Sequence, residues 1–161
     1  MTERALELLN LKDETDLLLL DIGCGSGISG EVVTENNQLW IGFDISRHML
    51  GTFIIISVNL SLQDIAKERE SEGDLFEIDM GQGFNFRPGV FDAAISISAL
   101  QWLCVAGKKN DNPFKRLNVF FASLYKSLKT GGRAVLQFYP DGNEQISMIT
   151  TSALKQGGFI S

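Results

Sequence analysis

Histidine and cysteine are scarce in this sequence, and each shortage argues against a class of function. The 161 residues include one histidine and two cysteines. A hydrolase triad and a histidine-ligated metal site both need histidine with suitable partners, so His48 alone argues against them, and no metal site is expected. Cys24 and Cys104 fit neither a disulfide framework nor a metal-ligand spacing, which makes a reducing compartment the expectation.

Positive charge and long apolar runs are also limited. Lys and Arg number 14 against 20 Asp and Glu, which gives a net charge of −6. A free-standing nucleic-acid binder needs clustered Lys and Arg, so any RNA contact would depend on a local patch, such as residues 108–116, or on a partner. No apolar run is long enough to cross a bilayer; the nearest, residues 53–62, is too short and is interrupted by Asn59. Residues 1–4 do not have the composition of a signal peptide.

The most informative stretch is an apolar run that ends in an acid and continues into alternating glycines. Leucines at 17–20 precede Asp21, and Gly23, Gly25 and Gly27 follow. The run predicts a buried parallel strand, and the glycines predict a tight loop that a ligand can approach closely. The dinucleotide-binding fingerprint spaces its glycines GxGxxG, whereas here the third comes one residue early. A carboxylate beside the turn suits a ligand with a positive end; a purely structural turn is the alternative.

Two further acids follow predicted strands. A strand over residues 39–44 ends in Asp44, at about the spacing where doubly wound folds place a ribose-binding carboxylate. A strand over residues 74–80 carries Asp79 near its end. The alternatives are a solvated acid at Asp44 and an Asx turn at Asp79. Because parallel strands share one carboxyl edge, we expect the three acids to meet around one ligand.

In the rest of the chain, apolar residues alternate between the spacing typical of helices and that typical of strands. Helices are predicted over residues 2–10, 28–35, 113–128 and 144–155, and strands over 90–98 and 133–139. This order predicts one α/β domain, residues 1–161, with a doubly wound, mostly parallel sheet of five strands. Residues 51–63 interrupt an otherwise continuous amphipathic helix and are interpreted as an insertion.

These motifs resemble a known family. The pattern strand-Asp-x-Gly-x-Gly-x-Gly is similar to motif I of the class I S-adenosylmethionine (SAM) methyltransferases. Longer strings, at residues 1–9, 72–83, 95–104 and 120–124, resemble the eukaryotic 18S rRNA (guanine-N7) methyltransferase family, nuclear factors of ribosome biogenesis. Class I methyltransferases normally have seven strands, so the last two are expected to be missing, and the chain is expected to be truncated at both ends relative to the family.

The resemblance implies SAM as cofactor and a role for each acid. Asp21 and the glycine loop would hold the methionine end, Asp44 the ribose, and Asp79 with Met80 the adenine. The implied cofactor-binding residues are Asp21, Gly23, Cys24, Gly25, Gly27, Asp44, Ile45, Asp79, Met80 and Ser96. Candidates for the guanine pocket are Gln101, Trp102 and Tyr139, the two aromatic residues by stacking. Guanine N7 carries no proton, so no general base is expected.

The resemblance also implies partners and a compartment. Small-subunit rRNA would be the substrate, and a small zinc-binding activator subunit would extend the sheet along residues 75–78 by β-augmentation. The expected location is the nucleus, with the cytoplasm as a second compartment. Motif I and the three acids do not identify the substrate, so a small-molecule SAM methyltransferase is one alternative. A non-catalytic ribosome-assembly scaffold is another.

Overall fold

The computed structural model describes residues 1–11, 15–49, 73–105 and 112–156. Within these ranges helices and strands alternate along the chain, and two short 3₁₀ helices follow β3 and β4. The elements are α1 (Thr2–Leu9), β1 (Leu18–Ile22), α2 (Ile28–Glu35), β2 (Leu39–Asp44), β3 (Gly73–Glu77), a 3₁₀ helix (Met80–Gln82), β4 (Phe91–Ile97), a second 3₁₀ helix (Leu100–Cys104), α3 (Pro113–Ser127), β5 (Leu128–Gln137) and α4 (Asn143–Lys155). The predicted insertion at 51–63 and residues 108–111 of the basic stretch lie outside the described residues.

The five described strands form one sheet in the order β3-β2-β1-β4-β5, and every neighbouring pair is parallel. The predicted doubly wound α/β fold is therefore confirmed. The chain leaves β1 towards β2 on one side, while β4 lies on the other side of β1. Open sheets of this kind bind ligands beyond the carboxyl ends of the strands where this reversal occurs.

Apolar side chains cover both faces of the sheet and make three layers. On one face, side chains of α3 and α4 pack on the strands; fully buried members include Leu20, Phe43, Phe91, Leu117 and Phe120. On the other face, α1 and α2 pack on the sheet through Ala5, Leu9, Leu19, Val33 and Trp40. Burial on both faces explains why β1 reads as an apolar run without alternation.

The helix ends follow local side-chain chemistry. Asn10 ends α1 in the left-handed region, with a φ of 50°, as the sequence predicts. Asn112 begins α3, because its side chain accepts a hydrogen bond from the Lys115 N–H at 3.1 Å and Pro113 fits the first turn. None of the described helices is long and apolar enough to span a membrane.

Two strand boundaries differ from the prediction by three or more residues. β3 ends at Glu77 instead of residue 80, because the Asp79 carboxylate accepts the Gly81 N–H at 2.9 Å and turns the chain into a 3₁₀ helix. β5 begins at Leu128, directly after α3, instead of at residue 133. Leu128 pairs with Phe91 and Arg133 with Ala93, so residues 129–132 bulge out of the ladder.

Candidate functional site

A cavity of about 310 Å³ opens at the carboxyl edge of the sheet. Segments that follow four strands contribute to it, together with one side chain from α3. The walls include Gly23 after β1; Asp44, Ile45 and Ser46 at the end of β2; Asp79 and Met80 after β3; Ser98, Ala99 and Trp102 after β4; and Arg116 of α3. Two of the three predicted acids, Asp44 and Asp79, line this cavity, and the meeting of all three around one ligand stays a prediction.

The glycine loop is a turn that only glycine adopts easily. Gly23, Gly25 and Gly27 have φ values of 70°, 56° and 87°, in the left-handed region that disfavours other residues. A Cβ on Gly23 would lie 2.3 Å from the Cβ of Ala99, so the loop packs directly against the segment after β4. Gly23 lines the cavity, whereas the side of the loop that carries Gly25 and Gly27 lies outside its walls.

Asp44 is half-buried and supports the loop while it faces the cavity. Its Oδ2 accepts the Gly25 N–H at 3.0 Å and its Oδ1 accepts the Ser46 N–H at 2.8 Å. A carboxylate oxygen can accept two hydrogen bonds, so each oxygen keeps capacity for a ligand hydroxyl. The exposed Ile45 side chain lies beside it on the cavity wall. This arrangement fits the predicted grip on a sugar diol.

Asp21 lies behind the loop and is almost completely buried. Ser29, in the first turn of α2, donates a hydrogen bond to its Oδ2, and its Oδ1 is without a partner among the described residues. Burial raises the pKa of Asp21 to about 7; the Ser29 hydrogen bond opposes this rise and the charge of Asp44 adds to it. Asp21 does not itself form the cavity wall. An orphaned buried carboxylate oxygen beside a ligand loop fits a cationic group arriving there.

Asp79 lines the cavity and is held by three donors. Its Oδ1 accepts both the Gly81 N–H and the Arg116 Nη2, each at 2.9 Å, and its Oδ2 accepts the Gln82 Nε2 at 3.2 Å. The Asx turn weighed as an alternative is present, yet the same carboxylate also faces the cavity. Sequence reasoning placed Arg116 only within a basic stretch. No local signal indicates that a residue 37 positions away reaches Asp79.

The three guanine-pocket candidates lie in different places. Trp102 is 65% exposed and lines the cavity. Gln101 donates its Nε2 to the Ser98 carbonyl at 2.8 Å, and its buried Oε1 is without a partner among the described residues. Tyr139 is exposed, its hydroxyl lies 3.4 Å from Met1 Sδ, and it is not part of the cavity wall. Of the three, Trp102 is placed to contact a ligand in the cavity.

Two of the predicted cofactor residues direct their side chains into the core. Ser96 is fully buried, and its hydroxyl donates to the Ile22 carbonyl at 2.9 Å, which joins β4 to β1. Cys24 is also buried, and a Cβ on Gly42 would lie 2.9 Å from its sulfur. Burial, with smaller contributions from Asp21 and Asp44, raises the pKa of the Cys24 thiol and keeps it protonated. The Ser96 hydroxyl thus makes a structural hydrogen bond, and the expected place of Ser96 among the cofactor-binding residues stays a prediction.

Comparison with known proteins gives close relatives over nearly the whole chain. It is 56% identical over 158 residues to a probable 18S rRNA (guanine-N7)-methyltransferase of Dictyostelium discoideum, which covers 98% of this chain and 50% of that protein. It is 54% identical over 157 residues to an 18S rRNA (guanine-N7)-methyltransferase of Mus musculus, covering 98% of this chain and 51% of that protein. The chain thus spans about half the length of the curated relatives it matches.

A solved structure has a similar fold, and a family model matches most of the chain. Phosphoethanolamine N-methyltransferase 2 of Haemonchus contortus, in complex with S-adenosyl-L-methionine, superimposes with a TM-score of 0.70 at 22% identity, over 97% of this chain and 36% of that one. This likeness shows the fold alone. A family model described as a methyltransferase domain matches residues 20–136, from β1 to β5. The chain therefore belongs to the methyltransferase domain family.

Proposed function

We propose that this chain binds SAM and transfers its methyl group to N7 of a guanine in 18S rRNA. The observation that carries the proposal is the identity of 54–56% over 98% of the chain to proteins that bear this name. The geometry supports the cofactor part independently, because Asp44 and Asp79 line a cavity at the edge where such sheets bind ligands, and Asp21 lies behind the glycine loop beside it.

The acids that line the cavity, together with Asp21 behind the glycine loop, would each bind a different part of SAM. The unpartnered Oδ1 of Asp21 would receive the charge of the ammonium or sulfonium. The oxygens of Asp44 would accept the ribose hydroxyls beside the Gly23 turn. Asp79 would accept the adenine amino group, with Met80 on the same wall. The walls also supply apolar surface from Ile45 and Trp102, and apolar walls with few polar groups are typical of cofactor pockets.

The chain's contribution to catalysis would be alignment rather than proton transfer. When bound, SAM supplies a methyl group on a positively charged sulfur. Guanine N7 has an in-plane lone pair and no proton, so the site needs no base, in keeping with the lack of histidine among the cavity residues. Trp102, exposed at the cavity, would stack on the acceptor base and hold N7 in line. The apolar walls would exclude water from the reacting atoms.

Methyl transfer from tritiated SAM to isolated small-subunit rRNA tests the proposal. We expect label in the RNA at a single guanine that becomes sensitive to borohydride and aniline cleavage, which reports N7-methylguanine. The Asp44→Asn variant, in parallel, should transfer far less label at a SAM concentration near the dissociation constant of the unsubstituted chain. Label in a pool of small metabolites and none in RNA would instead show a small-molecule enzyme. Binding of ribosomal particles without any SAM binding would show a scaffold.

We further propose that a small zinc-binding subunit adds a strand beside β3 and that the complex works in the nucleus. β3 is an edge of the described sheet, and Phe76 within it is 44% exposed. An edge with an apolar side chain favours strand addition. Phe76→Lys should abolish co-elution with such a subunit, whereas Leu154→Lys, at an exposed side chain of α4, should not. Equal co-elution of both variants would argue against this edge. Imaging of the tagged protein tests the compartment.

A further inference from the structure

Arg116 crosses from α3 to the end of β3 and closes one side of the cavity. Its Nη2 lies 2.9 Å from Asp79 Oδ1, and the two side chains are 20% and 22% exposed. An ion pair this sheltered is screened less than one on the surface. Arg116 also lines the cavity itself, although the methyl-transfer chemistry described above assigns it no role.

The backbone beside Arg116 leaves space for the guanidinium. A Cβ on Gly81 would lie 2.2 Å from Arg116 Nε and 2.7 Å from its Cζ. The guanidinium therefore lies directly against the bare Gly81 backbone, whose N–H also donates to Asp79. The Gly81 N–H and the Arg116 guanidinium therefore both hold Oδ1 of Asp79.

We propose that Arg116 is a positioning residue that fixes the Asp79 carboxylate and so sets the preference of the cavity for adenine over hypoxanthine. The inference rests on the proposed binding of SAM. Oδ1 of Asp79 already accepts from Gly81 and Arg116, so rotation of the carboxylate is restricted. Oδ2 accepts only the exposed Gln82 amide among the described contacts, and that amide is easily displaced. Oδ2 is the oxygen left for a ligand donor.

The chemistry of the two bases explains why a fixed carboxylate discriminates. The exocyclic amino group of adenine donates hydrogen bonds, and an ionised carboxylate only accepts them. Hypoxanthine has a carbonyl oxygen at the same position, which places two acceptors against each other. A carboxylate held by Arg116 cannot turn away from that oxygen. One released from Arg116 can turn away, so hypoxanthine is tolerated and the adenine contact is weakened.

Calorimetric titration with S-adenosylhomocysteine and S-inosylhomocysteine tests this inference. The variants are Arg116→Gln and Arg116→Lys, and the matched control is Lys115→Gln, which removes the same charge from the exposed neighbour. We expect the ratio of the two affinities to fall roughly tenfold in Arg116→Gln, as loss of one charge-assisted hydrogen bond implies. Lysine keeps the charge but lacks the planar guanidinium, so the affinity ratio of Arg116→Lys should lie between those of the unsubstituted chain and Arg116→Gln. Lys115→Gln should keep the ratio.

Gly81→Ala provides a second route to the same change. Its added methyl group should displace the guanidinium and lower the adenine preference without altering Arg116. In the Arg116→Gln background the same substitution should have little further effect, because the two changes disrupt one contact.

The possible outcomes separate the inference from the proposed function. Equal losses for both ligands, or an unchanged ratio in Arg116→Gln, would overturn the positioning role; thermal melting shows whether each variant is folded. Failure of the unsubstituted chain to bind S-adenosylhomocysteine would overturn the proposed cofactor and the inference with it. Normal binding and selectivity without methylation of rRNA would leave the inference standing and reject only the RNA substrate.

Discussion

Asp21 is an acid in a place where its charge is unfavourable. It lies in the central strand, 1% exposed, with one hydrogen bond from Ser29 and one oxygen unpartnered. Its folded-state pKa of about 7 is well above the ordinary value of 3.8. Between these values the folded state binds more protons than the unfolded state, so the free energy of unfolding decreases as pH rises through this window. Each unit of difference corresponds to about 1.4 kcal/mol.

Asp21→Asn should therefore become more stable relative to the unsubstituted chain as pH rises. Asparagine keeps an acceptor for Ser29 and carries no charge to bury. We expect the difference in melting temperature, variant minus parent, to increase between pH 4.5 and pH 8. Glu35→Gln, an exposed acid on α2, is the control and should show a constant difference. Parallel melting curves for Asp21→Asn and its parent at all pH values would contradict the assignment.

Ligand binding should couple to the same proton. A cationic methionine end favours the ionised form of Asp21, so binding near pH 7 should release protons. The affinity for SAM is expected to rise with pH up to about 7 and then level off. Calorimetry in buffers of different ionisation enthalpy measures this release, and Asp21→Asn should abolish it. Identical binding enthalpies in all buffers would show that Asp21 does not ionise on binding.

Asp44 is the residue whose substitution should affect binding most directly. Asp44→Asn should weaken SAM binding roughly a hundredfold, since hydrogen bonds to a charged group contribute about 1.5–3 kcal/mol. Glu77→Gln is the matched control: it pairs in register with Asp44 on the neighbouring strand but does not line the cavity. Calorimetric titration compares the two. Similar affinities would remove Asp44 from the site.

The position of Asp44 and Asp79 at the ends of predicted strands was enough to predict that they lie near the cavity. It was not enough to predict which way a side chain near a strand end points. Ser96 lies within β4 and bonds to Ile22, whereas Ser98, two residues later, has a φ of 58° and lines the cavity. That backbone turn has no glycine to mark it. Arg116 was missed as a site residue for a different reason: its role depends on how α3 packs against the segment after β3, and this is a tertiary contact.

At the scale of elements, α2 approaches the sheet at a glycine. A Cβ on Gly30 would lie 2.1 Å from Trp40 Cζ2, and Trp40 is 2% exposed with its indole N–H donated to Thr34 at 3.1 Å. The bounds of α2 and β2 were predicted correctly from apolar spacing and turn residues. The close approach was not predicted, because a single glycine within a helical pattern indicates no particular neighbour.

Gly30→Ala should destabilise the protein through this contact. Insertion of a methyl group into a packed core costs about 1–3 kcal/mol, which exceeds the gain of about 1 kcal/mol from the better helix propensity of alanine. Urea denaturation should show a lower midpoint with a similar slope. Glu31→Ala, exposed on the same helix, should leave the midpoint nearly unchanged. A Gly30→Ala midpoint at or above that of the parent would mean that Trp40 repacks without strain.

At the scale of the whole molecule, the parallel sheet collects the ends of separate segments at one edge. The sequence predicted this order of elements because each strand-helix alternation was visible locally. It could not predict the cavity itself, whose walls require β1, β2, β3, β4 and α3 to be packed together. A ligand that contacts several of them should stabilise the entire fold.

SAM should therefore raise the melting temperature of the chain. A ligand at one hundred times its dissociation constant stabilises the folded state by about 2.7 kcal/mol. For a chain of this size we expect a shift of roughly 5–10 °C in a thermal melt. At the same concentration, ATP, which shares the adenosine but has no cationic end, should give a smaller shift. Equal shifts with both would show that Asp21 does not contribute to recognition.

The strand order also has a consequence for biosynthesis. β1 pairs with β4 through Ile22 and Ser96, which are 74 positions apart. The ion pair of Asp79 with Arg116 forms later still, because Arg116 is synthesised after β4. A nascent polypeptide emerging from the ribosome passes through a long interval in which β1 can pair only with β2, because β4 has not yet been made. Nucleoside capture can then begin only when α3 has left the exit tunnel, and before that point the apolar β1 segment is a target for chaperones.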